Sequence, residues 1–255
     1  MIRTSKKSGH ITPLDVYKAL YNKFGPQGWW PVTRGRSAVP EYCKKEYCGK
    51  NGREKFEICA GAILTQNTSW KNVERALENL ARADVLSPFK IRGLNRKKLA
   101  SLIRPSGYYN QKAARLKGFA KHICDSYGGK IEKFFDRPPE ELREKLLSLK
   151  GVGPETADSI LLYAAEKLSF VIDAYTMRLG SRLGWFGQKA SYDEARGYLI
   201  SSLPRSLKLY NEFHALAVAL GKDICKIKPL CQKCALKDNC KHEQRHRTRV
   251  RRKTS

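Results

Sequence analysis

Four cysteines near the C-terminus, Cys225, Cys231, Cys234 and Cys240, are spaced Cys-x5-Cys-x2-Cys-x5-Cys, and a stretch this short that must gather four thiols has few ways to fold. The spacing fits a compact iron-sulfur loop better than disulfides or a zinc finger. A [4Fe-4S] cluster needs four thiolates converging on a cube of metal and sulfide, and the run from 225 to 240 can wrap such an object. A zinc ribbon pairs two Cys-x2-Cys knuckles across a longer gap, and here Cys231 and Cys234 alone form one. Zinc and unligated structural cysteines stay open as the lesser readings of the spacing.

The charge balance names a partner class. The 255 residues carry 50 Lys+Arg against 24 Asp+Glu, a net charge of +26. That excess is far beyond what solubility requires, so a polyanion is implied, with nucleic acid ahead because Lys and Arg neutralise phosphate. A thermophile surface rich in charge is the bland alternative. A membrane surface is disfavoured, since no basic amphipathic helix with a bulky apolar face stands out. No apolar run approaches the roughly 20 residues of a membrane span, and MIRTSKKSGH lacks the apolar core of a signal peptide. A soluble, cytoplasmic and nucleoid-associated protein with reduced thiols is expected.

Helical periodicity dominates the chain. Thr12 and Pro13 open a stripe of Leu14, Tyr17, Leu20, Tyr21 and Phe24. Similar stripes run over 58–64, 73–80, 116–123, 142–149, 160–168, 198–203 and 214–220, which predicts an all-α fold. With 41% hydrophobic residues the chain can bury the core of one large or two small domains. Residues 31–52 are rich in Pro, Gly and charge and read as a long loop, and residues 241–255 read as a basic flexible tail.

The segment LLSLKGVGPETADSILLYA holds the second strong signal. One helix ends at Lys150, Gly151-Val152-Gly153 turns, and Pro154 opens the next helix. Glycines admit a phosphate close to the backbone, and the N–H groups at the following helix start favour an anion. About twenty residues on, Asp173 in FVIDAYTMRLG follows an apolar run, and the cysteine tetrad comes after it.

Hairpin, aspartate and tetrad in that order resemble the endonuclease III superfamily of base-excision DNA glycosylases, over roughly residues 55–240. The resemblance implies double-stranded DNA with a damaged base as partner. It assigns Asp173 the catalytic role of stabilising positive charge on the sugar and orienting water, beside its capacity to cap the next helix. Asp158 has no such placement and is expected on the surface. Bifunctional members carry a nucleophilic lysine two residues after the G-x-G, where GVGPETA has Glu155. Schiff-base chemistry requires an amine, so a monofunctional, water-using enzyme without strong lyase activity is implied.

The segments GWWP, ILTQNTSW and PSGYYNQKA look like the 3-methyladenine DNA glycosylase III branch. In that branch aromatics matching Trp29 and Trp70 sandwich the excised base, with those matching Trp30 and Pro31 forming the wall. A cationic N-methylated purine suits such a cage, although each Trp also reads as core packing. Gln66 and Tyr108 match residues that fill the hole left by a flipped nucleotide. The branch member in view lacks both the tetrad and the 31–52 loop, and the tetrad's first gap departs by one residue from endonuclease III. Cys43 and Cys48 are expected as free or weakly paired thiols, and Cys59 and Cys124 as core. Lys226, Lys228, Lys233 and Lys237 surround the tetrad.

The expected organisation is a two-domain helix-hairpin-helix glycosylase fold with a C-terminal iron-sulfur loop, acting as a monomer. Residues 1–54 bring the N-terminal helix and long loop to the cluster domain, 55–167 form a helical barrel, 168–240 complete the cluster domain, and 241–255 form the tail. The lesion pocket is expected in the cleft between domains. Rival readings are a glycosylase for oxidised pyrimidines or mismatched bases, and a non-catalytic DNA-binding module, against which Asp173 speaks.

Overall fold

The computed structural model describes residues 11–35, 37–44 and 51–245. Among them β pairing is confined to one isolated antiparallel bridge, Val32 with Glu41, and the rest is helix and turn. The helices are α1 (Pro13–Phe24), α2 (Gly52–Leu64), α3 (Trp70–Arg82), α4 (Pro88–Gly93), α5 (Arg96–Leu102), α6 (Tyr109–Tyr127), α7 (Ile131–Phe135), α8 (Pro139–Leu147), α9 (Pro154–Ser159), α10 (Ala174–Leu183), α11 (Tyr192–Ser202) and α12 (Leu207–Asp223). The chain is all-α, as its periodicity predicts.

Two compact units separate: Met1–Gly25, Ile172–Arg205 and Phe213–Ser255 in one, Pro26–Val171 and Ser206–Glu212 in the other. In the first, α1 starts where Thr12 Oγ1 accepts from Asp15 N and Pro13 takes the opening position, and it stops at Gly25, whose φ is +67. Its Val16 and Leu20 are fully buried. A capping box of Ser191 and Glu194 starts α11.

In the second unit α2 is the central element. Phe56, Ile58, Cys59, Ala60, Ile63 and Leu64 are all fully buried, so the helix is apolar around nearly its whole circumference. It packs against α3, α6, α7 and the turn following α9. Each of its large apolar side chains contributes about 1.5–3 kcal/mol by leaving water. Cys59 and Cys124 lie in the core, as expected.

Residues 26–35 and 37–44, expected to accompany α1, belong with this second unit. The cause is a buried carboxylate. Thr33 donates its N–H and its hydroxyl to Glu57 on α2 at 3.0 and 2.7 Å, and Arg53 donates to the Thr33 carbonyl at 2.7 Å. Cys43 is disulfide-bonded, which corrects the expectation of a free or weakly paired thiol. Its N–H donates to the Gly28 carbonyl at 3.2 Å, which fixes this stretch of loop. Cys48 and the tail beyond residue 245 lie outside the described residues.

Asp158 is fully buried, not on the surface. Arg143 of α8 grips it in a fork, Nε to Oδ1 at 3.0 Å and Nη2 to Oδ2 at 3.1 Å, and the Ser169 hydroxyl donates to it at 2.5 Å. A bidentate guanidinium offsets the cost of burying the charge. The stripe over 160–168 also ends early. The segment Ile160–Ala164 widens into a buried π-helical turn, and Glu166, at φ +53, halts it.

Candidate functional site

The two glycines of the hairpin differ in what they do. Gly151 sits at φ +86, and a Cβ there would lie 2.5 Å from the Arg115 side chain. Gly153 is extended at φ −95, caps α9, and a Cβ there would meet nothing within 4 Å. The first glycine is required by the turn. The second leaves the exposed start of α9 bare, with Val152 buried between them.

Gln66, two residues beyond the end of α2, bonds inward to this turn. Its amide nitrogen donates to the Gly151 carbonyl and to Thr156 Oγ1, both at 3.0 Å, while Arg115 donates to its oxygen. Tyr108 is 66% exposed, with φ +45, directly before α6. A groove of about 590 Å³ beside the hairpin is lined by Arg96, Arg115, Lys150 and Gly151 among others.

The aromatic residues singled out from sequence gather in the second unit. Trp29 and Trp70 have ring centroids 4.7 Å apart at 56°, and Trp30 stands edge-on to Trp70 at 5.1 Å and to Tyr163 at 5.2 Å. Trp30 is 4% exposed and lies over Gly61 of α2, where a Cβ would come within 2.9 Å of its Nε1. Pro31 is buried beside it. Two members were not foreseen. Tyr163 was hidden in an apolar helical run, and Tyr42 sits in the loop, 6.1 Å from Trp29.

In the first unit Asp173 caps α10, its Oδ1 accepting from Thr176 N at 2.7 Å. His214 of α12 places Nε2 3.7 Å from Asp173 Oδ2. Burial pushes the Asp173 carboxyl up, but His214 and Thr176 more than offset this and hold it below the usual carboxylate range. His214 was missed. The available signal was one ionisable residue heading the apolar run HALAVAL.

Cys225, Cys231, Cys234 and Cys240 line one pocket with Arg182, Lys237 and Glu243. Arg182 Nη1 lies 3.1 Å from Cys225 Sγ, and Arg178 donates to the Cys225 carbonyl at 2.7 Å, so α10 grips the loop. Burial, with Glu243 and the neighbouring thiols, pushes the Cys231 thiol up to about 11, and burial raises Cys234. Among the described residues no group of three or more His, Cys, Asp or Glu is arranged to hold a metal ion. Also among the described residues, no helix is long and apolar enough to cross a membrane.

The profile described as HhH-GPD superfamily base excision DNA repair protein matches residues 60–205. A Methanocaldococcus jannaschii protein, provisionally named as a DNA repair glycosylase, is 46% identical over 226 residues, covering 88% of this chain and 94% of its own. Endonuclease III of Thermotoga maritima is 30% identical over 203 residues, covering 79% and 90%. Among solved structures, H. pylori 3-methyladenine DNA glycosylase bound to 1,N6-ethenoadenine superposes with a TM-score of 0.66 at 31% identity, covering 83% of this chain and 98% of that one.

Proposed function

Because the chain belongs to the HhH-GPD superfamily of base excision DNA repair glycosylases, we propose that it is a monofunctional enzyme whose substrate is an alkylated purine such as 3-methyladenine in double-stranded DNA. The observation that carries this is the gathering of Trp29, Trp30 and Trp70 into one aromatic group. Electron-rich indoles stack well on a cationic base, and the likeness to a 3-methyladenine glycosylase supports the same class.

In the proposed reaction the hairpin, Gly151 to Gly153, holds the phosphate backbone, and Tyr108 enters the stack vacated by the flipped nucleotide. Gln66 holds the hairpin turn. The N-glycosidic bond breaks with its electron pair leaving on the base, so a cationic alkylpurine departs neutral. Positive charge grows on the sugar, and the carboxylate of Asp173 stabilises it. Water then forms the new bond to the sugar carbon and gives up its proton to solvent. Glu155, exposed in the first turn of α9, offers no amine there.

We read the four cysteines as the ligands of a [4Fe-4S] cluster, because all four line one pocket within a single loop. Bound there, a cluster would cross-link the loop through its four thiolates, the core partly offsetting their negative charge. Arg178 and Arg182 fix the loop to α10.

The test uses duplexes that each carry one defined lesion, followed by heating in alkali. Base release from 3-methyladenine without strand cleavage, and no adduct trapped by borohydride, are expected. Preferential release of thymine glycol would instead favour an endonuclease III-like enzyme, a reading that the Thermotoga relative supports. Cys231→Ser should remove the broad absorption near ~400 nm expected of thiolate-bound iron and sulfide.

A further inference from the structure

Trp29 and Trp70 are too close to hold a base as they stand. Their centroids are 4.7 Å apart at 56°. A base between two parallel rings needs them about 7 Å apart, two carbon contacts of about 3.5 Å each. The two rings must therefore part before a base enters, and one hydrogen bond holds Trp70 against that motion.

The Trp70 indole Nε1–H donates to the Tyr42 hydroxyl at 2.9 Å, and that hydroxyl donates to Glu74 Oε1 at 2.7 Å. Glu74 lies one turn beyond Trp70 on α3. The carboxylate accepts a hydrogen bond from the phenol's only O–H, which leaves the phenol oxygen as acceptor for the indole. Burial and Glu74 together push the Tyr42 phenol above its ordinary range, so it stays protonated and stays a donor to Glu74.

Tyr42 cannot drift with Trp70, because the backbone on either side of it is tied to the opposite wall. Glu41 N donates to the Val32 carbonyl at 2.9 Å and Cys43 N donates to the Gly28 carbonyl at 3.2 Å. Gly28 allows that approach, since a Cβ there would lie 2.8 Å from Lys44 N. These two ties bracket the segment that carries Trp29, Trp30 and Pro31. The hydroxyl thus has a fixed position on one wall and binds the movable ring of the other.

We infer that Tyr42, oriented by Glu74, is a positioning residue that latches the aromatic cage shut by holding Trp70 against Trp29 until a flipped base displaces it. The inference rests on the proposed role of the cage in base binding. Opening the latch costs the same for every base. It leaves the ratio between substrates unchanged and lowers the absolute rate on undamaged purines.

The test has two arms on the full-length protein. With 5-fluorotryptophan incorporated, the 4 tryptophans give separate fluorine NMR signals, with that of Trp70 assigned by Trp70→Phe. Without DNA, Tyr42→Phe should move the Trp70 signal and increase its sensitivity to solvent, and Glu74→Gln should do so less. In single-turnover assays Tyr42→Phe should raise kcat/KM on a 3-methyladenine duplex and on an undamaged duplex by the same factor, about 2- to 10-fold for one neutral hydrogen bond. A Trp70 signal unmoved by Tyr42→Phe would overturn the latch whatever the substrate. A fall in kcat/KM would overturn it too, making Tyr42 a supporting wall for the base. Failure of the unsubstituted protein to release any alkylpurine would refute the proposed substrate instead, while the fluorine signals would still decide the latch.

Discussion

At Asp173 burial and hydrogen bonding act in opposite directions, and the balance sets when the carboxylate is available. Burial alone would favour the neutral acid, while His214 and the Thr176 N–H hold it ionised below the ordinary value of 3.8. A lowered carboxyl pKa adds stability that is present above the unfolded value and lost only as pH falls through the folded one. Base release should therefore show no loss from Asp173 protonation above about pH 4. Asp173→Asn should abolish release while duplex binding, read by fluorescence anisotropy, persists. His214→Ala should bring an acidic limb into the measurable range, and an unchanged pH profile would show that the pair does not act together. At this scale the sequence showed Asp173 through its place after the hairpin, but not His214, because nothing local joins residues so far apart in the chain. Gly61 was equally hidden, being one small residue in an apolar helix. Gly61→Ala should cost about 1–3 kcal/mol in urea unfolding and slow base release, since the added methyl would displace Trp30.

Elements that carry a long apolar stripe, such as α1, α3 and α6, were legible because periodicity over three or more turns is decisive. Short α4, α5 and α7 were not, having too few turns to show a stripe. Asp158 misled for a related reason. A charged residue on a helix usually faces water, and its forked partner Arg143 lies on the preceding helix. The hairpin allows a clean test of its own design. Gly151→Ala should destabilise the fold by about 1–2 kcal/mol, because φ is positive there. Gly153→Ala should fold normally, so any loss of affinity that it causes, alike on every sequence, reports phosphate approach. Unchanged affinity in Gly153→Ala would remove the backbone of this turn from the DNA interface. The link between α2 and the Trp segment is sensitive to pH. Burial raises Glu57 to about 7, against the bonds from Thr33 that lower it. A raised carboxyl pKa means the folded state holds the proton longer, so stability should fall as pH rises from the unfolded value of 4.5 to about 7. The loss should be at most about 3 kcal/mol between pH 5 and pH 8, and Glu57→Gln should flatten it.

For the molecule as a whole, the net charge of +26 was the plainest property of the sequence, yet its magnitude alone does not say how much of it meets DNA. Division into two units was expected from the family resemblance, since length alone left one large or two small domains open. The placement of residues 26–44 in the second unit was not, because it depends on the buried Glu57 and not on any local pattern. How many cations act on DNA can be counted by salt. Each phosphate neutralised releases counterions, so the logarithm of affinity falls linearly with the logarithm of salt at about −0.9 per contact. If the protein neutralises about six phosphates or more, affinity for an undamaged duplex should drop at least about a thousandfold between ~50 and ~200 mM salt. Lys150, exposed beside the hairpin groove, should be one of those cations. Lys150→Gln should weaken binding to all sequences equally and reduce the slope by about 1. A slope near zero would mean that the positive charge does not act through phosphate contacts. An unchanged slope in Lys150→Gln would place the phosphate track away from the hairpin.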